Sequence, residues 1–94
     1  MAETVFTHDE AASRYELHEG DQLVSVLDYR DNGSTVAFTR TFTIPSHRGH
    51  GHAAELTEKA VEDVASRGGR TIQPVCWFVS DWFDAHPERA DLLA

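Results

Sequence analysis

The spacing of hydrophobic and polar positions changes near the middle of the chain. Before Pro45 apolar residues recur mostly at every second position, as in strands; after His52 they recur at three and four, as in a helix. Arg14 to His18 predicts a first short strand with Tyr15 and Leu17 on one side, and the residues before it are weakly patterned. Gly20-Asp21 marks a turn. Gln22 to Tyr29 predicts a second strand, with Leu23, Leu27 and Tyr29 of one parity and Val24 and Val26 of the other, so it should be covered on both faces. Asp31-Asn32-Gly33-Ser34 carries the Asn-Gly pair of a tight hairpin. Thr35 to Ile44 is the clearest strand, with Val36, Phe38, Phe42 and Ile44 on one face and Ala37, Thr39, Thr41 and Thr43 on the other.

Pro45 stops that strand. From His52 to Arg67 the stripe Ala53, Leu56, Ala60, Val61, Val64 predicts an amphipathic helix, with Glu55, Glu58, Lys59, Glu62 and Asp63 on its solvated side. Gly68-Gly69 supplies its stop. Thr71 to Cys76 reads as a return strand interrupted by Pro74, and strand, helix, strand with short links implies a right-handed crossover and parallel pairing. Trp77 to His86 reads as a short aromatic helix, its Trp77, Phe78, Trp82 and Phe83 taken as core. The expected order is β-β-β-α-β-α: an α/β fold of a single domain over residues 1–94, its mixed twisted sheet a meander followed by one parallel addition.

The break in period at Pro45-Ser46-His47-Arg48-Gly49-His50-Gly51-His52-Ala53 is chemically the most informative stretch. A strand runs into it and a helix leaves it. The first backbone N–H groups of a helix lack intrahelical partners and point outward together at the positive end of its dipole, which makes such a junction a cradle for phosphate. Gly49 and Gly51 let the main chain approach an anion without a Cβ in the way.

Charge narrows the partners. With Asp and Glu numbering 16 against 8 Lys and Arg, the formal charge is −8, which argues against general nucleic-acid binding, an affinity that comes from cations on phosphates. It mildly favours cationic molecules or basic polypeptides. A single cysteine among 94 residues excludes an internal disulfide and fits a reducing compartment. The beginning, Met1-Ala2-Glu3-Thr4-Val5-Phe6, lacks a basic and apolar leader, and no later stretch is apolar enough to span a bilayer, so a cytoplasmic protein without membrane contact is expected, as monomer or dimer.

Arg48-Gly49-His50-Gly51-His52-Ala53 at a strand-to-helix junction resembles the pyrophosphate-binding loop of the GNAT superfamily of N-acetyltransferases. The family pattern is Gln or Arg, two residues, Gly, any residue, then Gly or Ala. Gly49 and Gly51 fill the small positions, while Ser46 stands in the leading one. The element order and the stretch Pro74-Val75-Cys76-Trp77-Phe78-Val79, with Trp82-Phe83 and His86-Pro87-Glu88 after it, are similar to the very small, single-domain members. The resemblance covers roughly residues 14 to 89. It implies a minimal GNAT-like fold, acetyl-CoA as co-substrate and an amine acceptor of unidentified nature. It places the pyrophosphate on the N–H groups of His47, Arg48, Gly49, His50, Gly51, His52 and Ala53, with Arg48 as the cation. It places the pantetheine and thioester along the strand end from Thr41 through Phe42, Thr43 and Ile44, in the slot where that strand splays from the Thr71–Cys76 strand.

For catalysis the resemblance points to the region after the return strand. Cys76 sits beside the thioester, as a transient acetyl acceptor, a pocket wall or a buried small hydrophobe. Many members carry a tyrosine in the following helix as the acid for the departing thiolate; here that region offers Ser80 and no tyrosine, leaving Ser80, Cys76 or water. Larger members have helices between their first two strands that wall off the acceptor; only Glu19-Gly20-Asp21 stands there. An acyl-CoA-binding module with little catalysis is the second reading. His47, His50 and His52 are arranged as His-x-x-His-x-His, but a metal needs three converging ligands. A loop wrapped round an anion should send these side chains apart, so no metal is expected.

Overall fold

The computed structural model describes residues 3–94; Met1 and Ala2, the start of the stretch read for a leader, lie outside them. Five strands form one sheet in the order β1-β2-β3-β4-β5: β1 (Thr4–Asp9), β2 (Arg14–Glu19), β3 (Gln22–Asp31), β4 (Thr35–Thr43) and β5 (Thr71–Pro74). Two helices, α1 (His52–Arg67) and α2 (Trp77–Ala85), complete the fold with 3₁₀ turns at Pro45–His47 and Pro87–Leu92. The first four strands pair antiparallel and β5 joins β4 in parallel, so the expected meander with one parallel addition is present.

One strand escaped the sequence reading. β1 turns Thr4, Phe6 and His8 inward and leaves Val5, Thr7 and Asp9 exposed. Only one of the inward residues is a plain hydrophobe and an apolar residue faces out, so the alternation carries no clear hydrophobic signal. The first two strands are therefore β1 and β2, joined by Glu10–Ser13, and Glu19-Gly20-Asp21 instead turns β2 into β3. Neither connection contains a helix.

The core is the layer between the sheet and the two helices. Tyr15 and Leu17 of β2, Leu27 of β3, Val36 and Phe38 of β4 and Ile72 of β5 meet Leu56, Ala60, Val61 and Val64 of α1 and Val79, Trp82 and Phe83 of α2. The helix stripe is shifted slightly from expectation: His52 and Thr57 are buried with it, while Ala53 is half-buried. Beyond α2, the chain returns to the free edge of β5, where Ala94 N–H donates to the Ile72 carbonyl at 2.9 Å, closing an edge that would otherwise present unpaired backbone groups. Among the described residues no helix is long and apolar enough to cross a membrane.

Two irregularities shape one end of the sheet. β4 carries a bulge: Tyr29 pairs with Phe38 and Asp28 with Arg40, leaving Thr39 without an opposite residue. The extra residue flips the alternation. Phe38 faces the helices, whereas Phe42 pairs with Val26 on the opposite face, correcting the reading that put Val36, Phe38, Phe42 and Ile44 on one side. Thr41 and Thr43 pair with Leu27 and Ser25 and so turn toward the helices. The second irregularity is that β5 ends at Pro74, two residues short of the expected Cys76. Phe38–Pro74 is the last pair between β4 and β5; Val75 N–H then bonds back to the Gln73 carbonyl, and the chain leaves for α2.

Candidate functional site

Where β5 turns away, β4 runs on to Thr43 paired only with β3, and the wedge between β4 and β5 opens into a groove of about 490 Å³. Thr41, Phe42 and Thr43 form one wall; His47, Arg48 and Gly49 lie at its end; Gly51 to Ala54 at the start of α1 and Trp77 and Phe78 at the start of α2 complete it.

The polar floor of this groove is backbone. Gly49 and Gly51 have φ of 84° and 77°, the left-handed region that side chains with a Cβ adopt at a cost. Gly51 caps α1 and offers no side-chain oxygen to its first turn. The first helical N–H bonded back along the chain is that of Glu55, to the Gly51 carbonyl at 3.0 Å. Among the described residues, the N–H groups from Gly49 to Ala54 are given to no protein acceptor. Arg48 braces the loop by donating Nε–H to the Thr43 carbonyl at 3.2 Å, with its guanidinium 5.7 Å from the centre of the Phe42 ring.

Cys76 stands behind the groove, between Thr41 and the start of α2. Its N–H donates to the Phe38 carbonyl at 2.9 Å, holding it where the strands part. Its Sγ lies 3.5 Å from the Thr41 hydroxyl. Burial pushes its pKa up, but the Thr41 hydroxyl and the N–H groups of Phe78 and Val79 at the start of α2 outweigh that and hold the thiol below its ordinary value.

Of the residues singled out from sequence, Phe42, Thr43, His47, Arg48, Gly49, Gly51, His52 and Ala53 come together around the groove. Ile44 and His50 do not line it, and Cys76 reaches it through Thr41. Ser80 lies one turn into α2, its N–H bonded to the Cys76 carbonyl, and does not line the groove. Among the aromatics, Trp82 and Phe83 are core as expected, but Trp77 is 73% exposed and lines the groove with Phe78. The inward stripe of α2 is Val79, Trp82 and Phe83, and Trp77 falls well off it at 100° per residue, a signal the spacing already held. His47 and His52, expected to diverge, instead converge on Glu19, at 4.0 and 3.8 Å from its carboxylate.

Comparison with known proteins places this geometry. No curated protein sequence matches the chain. Among solved structures, a GNAT-family acetyltransferase from Streptococcus pneumoniae shares the fold, with a TM-score of 0.51 at 19% identity over 65% of this chain. This chain spans about half of that protein, 47% of its length. A family model for GCN5-related N-acetyl-transferases matches residues 14–92, which takes in every strand but the first, both helices and the whole groove. The chain belongs to the GCN5-related N-acetyl-transferase family.

Proposed function

We propose that the groove binds acetyl-CoA and that the chain transfers its acetyl group to an amine. The observation that carries this is the run of unpaired N–H groups from Gly49 to Ala54 at the positive end of α1, opening into a slot between two parted parallel strands. A pyrophosphate satisfies such donors, and Arg48 adds a cation beside them. The pantetheine then runs along Thr41 to Thr43, whose inner edge has lost its β5 partner and carries only the bond from Arg48 to the Thr43 carbonyl, which the ligand would share or displace.

This places the thioester near Thr41 and Cys76. The amine attacks the carbonyl carbon, the C–S bond breaks, the nitrogen loses a proton and the CoA thiolate gains one. Most of the acceleration comes from holding amine and thioester together. Cys76 is the titratable group best placed to move a proton there, and its lowered pKa also fits it to take the acetyl group transiently. The chain's charge of −8 favours a cationic acceptor.

Thermal unfolding with CoA and with acetyl-CoA tests the binding step. Stabilisation should grow with ligand, reaching about 2.7 kcal/mol at a hundredfold excess over Kd; no shift with either defeats the reading. Release of free thiol from acetyl-CoA in the presence of a panel of amines tests transfer. Cys76→Ala should abolish turnover if the acetyl group passes through the thiol, and retained activity rules that route out. The second reading, a CoA-binding module with little catalysis, draws on α2, which contains no tyrosine, and on the absence of a helix between β1 and β2. CoA binding without thiol release would select it.

A further inference from the structure

Glu19, His47 and His52 meet where the β2–β3 turn approaches the loop after β4. One nitrogen or oxygen from each lies within 4.8 Å of the others. The closest approaches, 3.8 Å from Glu19 Oε2 to His52 Nε2 and 4.0 Å from Oε1 to His47 Nδ1, are too long for hydrogen bonds. Among the described residues none of the three side chains has a hydrogen-bond partner, whereas His18 and His86 each have one and His8 has two. His52 is only 8% exposed, and its Nδ1 is sealed away without a partner. Nε2 is the nitrogen it turns toward Glu19. For His52, buried and unbonded, this is costly unless a partner reaches Nε2 from the side where Glu19 and His47 stand.

We propose that Glu19, His47 and His52 bind one divalent transition-metal ion of the zinc type, leaving a coordination position open to solvent. Two imidazoles and a carboxylate suit zinc and its neighbours rather than magnesium or calcium, which prefer all-oxygen shells. Zinc bonds of about 2.0–2.1 Å set tetrahedral ligand atoms roughly 3.4 Å apart, so the cluster has to contract by about an ångström. His52 is fixed by packing, while Glu19 at a strand end and His47 on a 3₁₀ turn are only half-buried and have room to swing. The sealed Nδ1 of His52 lacks the acceptor that usually steadies a metal-bound imidazole, which places the affinity about 10- to 100-fold below that of a site with one. His50 is exposed and offers no ligand atom within 4.8 Å of the other three, so it stays outside the set. The bound ion ties the β2–β3 turn to the loop.

The test uses the tag-free chain, zinc sulfate or cobalt chloride as the only ligand, and no CoA, so its failure leaves the acetyl-CoA reading standing. Calorimetry should show one zinc per chain, the melting temperature should rise with zinc and fall back with EDTA, and Co2+ should give the intense visible absorption of a four-coordinate site. Removing a ligand costs at least what removing the group behind it does, so Glu19→Gln and His47→Ala should each weaken zinc at least about tenfold. His50→Ala should leave it unchanged. Because His52 is packed inside, the two half-buried positions carry the test, each variant first shown to melt like the parent without metal. A Kd weaker than about 1 mM, affinity unmoved in both Glu19→Gln and His47→Ala, or an equal loss in His50→Ala overturns the site.

Discussion

The two ends of α1 face the same sheet and treat polar groups in opposite ways. At the C-terminal end Tyr15 donates its hydroxyl hydrogen to Asp63 at 2.8 Å, Arg67 pairs with Asp63 at 3.0 Å and with Glu10 at 2.9 Å, and His8 Nε2 meets the Tyr29 hydroxyl at 2.6 Å. Arginine has only donors, so the 2.9 Å contact from Arg67 makes His8 Nδ1 the acceptor and leaves Nε2–H to donate to Tyr29. The cavity among these groups is only about 40 Å³. At the N-terminal end the N–H groups of Gly49 to Ala54 and the rings of His47 and His52 have no hydrogen-bond partner among the described residues, beside a groove of about 490 Å³. One end is closed by its own side chains; the other leaves the polar groups of its loop open to solvent. The first is where α1 is fixed to β1, β2 and β3, and the second is where chemistry is to be sought.

Breaking the closed end should produce the largest effect and leave the open end untouched. Asp63→Ala removes the acceptor of a buried tyrosine, whose ionisation burial and Asp63 push far up, and takes one partner from Arg67. The expected loss is about 2–3 kcal/mol, chiefly from the stranded hydroxyl, with the half-exposed Arg67 pair adding little. In a domain of this length that lowers the melting point by roughly 10–20 °C. CoA affinity measured well below that melting point should match the parent. A parallel loss of CoA affinity would show that the two ends are not independent.

Substitution at the open end should reverse that pattern. Gly51→Val forces a β-branched residue to a φ of 77°, at a cost of about 1–2 kcal/mol in stability. Nothing lies within 4 Å of a Cβ placed there on the protein side, so the strain is in the backbone rather than in packing. The added methyls stand among the N–H groups proposed for the pyrophosphate, and CoA binding should disappear by calorimetry. Undiminished binding would move the phosphate off this loop.

The same contrast explains what was legible in the sequence. α1 has the bounds read from it because its ends are written locally, glycine before and glycine after, with a clean apolar stripe between. The groove residues of the loop were legible for the same reason, since a helix N-terminus and two glycines are contiguous in the chain. What depends on distant partners was not. β1 has an inward face of Thr4, Phe6 and His8, and these suit it only because Glu55 accepts from Thr4 at 2.6 Å and Tyr29 meets His8. The bulge at Thr39 is a matter of register against β3, and without it Phe42 seemed to belong with Phe38. Glu19 comes to His47 and His52 through the β2–β3 turn, across some thirty residues of chain, and no local pattern foretold that meeting.

Arg48 should matter less than Gly51. It is exposed, and solvent screens whatever pairing it makes with a phosphate. Arg48→Ala should weaken CoA by roughly fivefold, about 1 kcal/mol, with the gap between variant and parent closing as salt is raised. A loss of several hundredfold, insensitive to salt, would mean that the guanidinium is enclosed by the ligand and that the loop shuts over it.

The smallest effect concerns Cys76, and it tells which wall of the groove controls the thiol. Alkylation by iodoacetamide follows the thiolate, so its rate against pH has its midpoint at the pKa. For the parent that midpoint should lie below that of an ordinary cysteine, because Thr41 and the N–H groups at the start of α2 favour the charged form more than burial disfavours it. Thr41→Val keeps the shape of the wall and removes one donor. Losing a donor to the thiolate favours the neutral thiol, so the midpoint moves up and labelling at a fixed pH below it slows. The Phe78 and Val79 N–H groups remain, so the shift should stop short of what burial alone would give. An unmoved midpoint would remove the Thr41 hydroxyl from the account and leave the lowered pKa to the backbone N–H groups of Thr41, Phe78 and Val79.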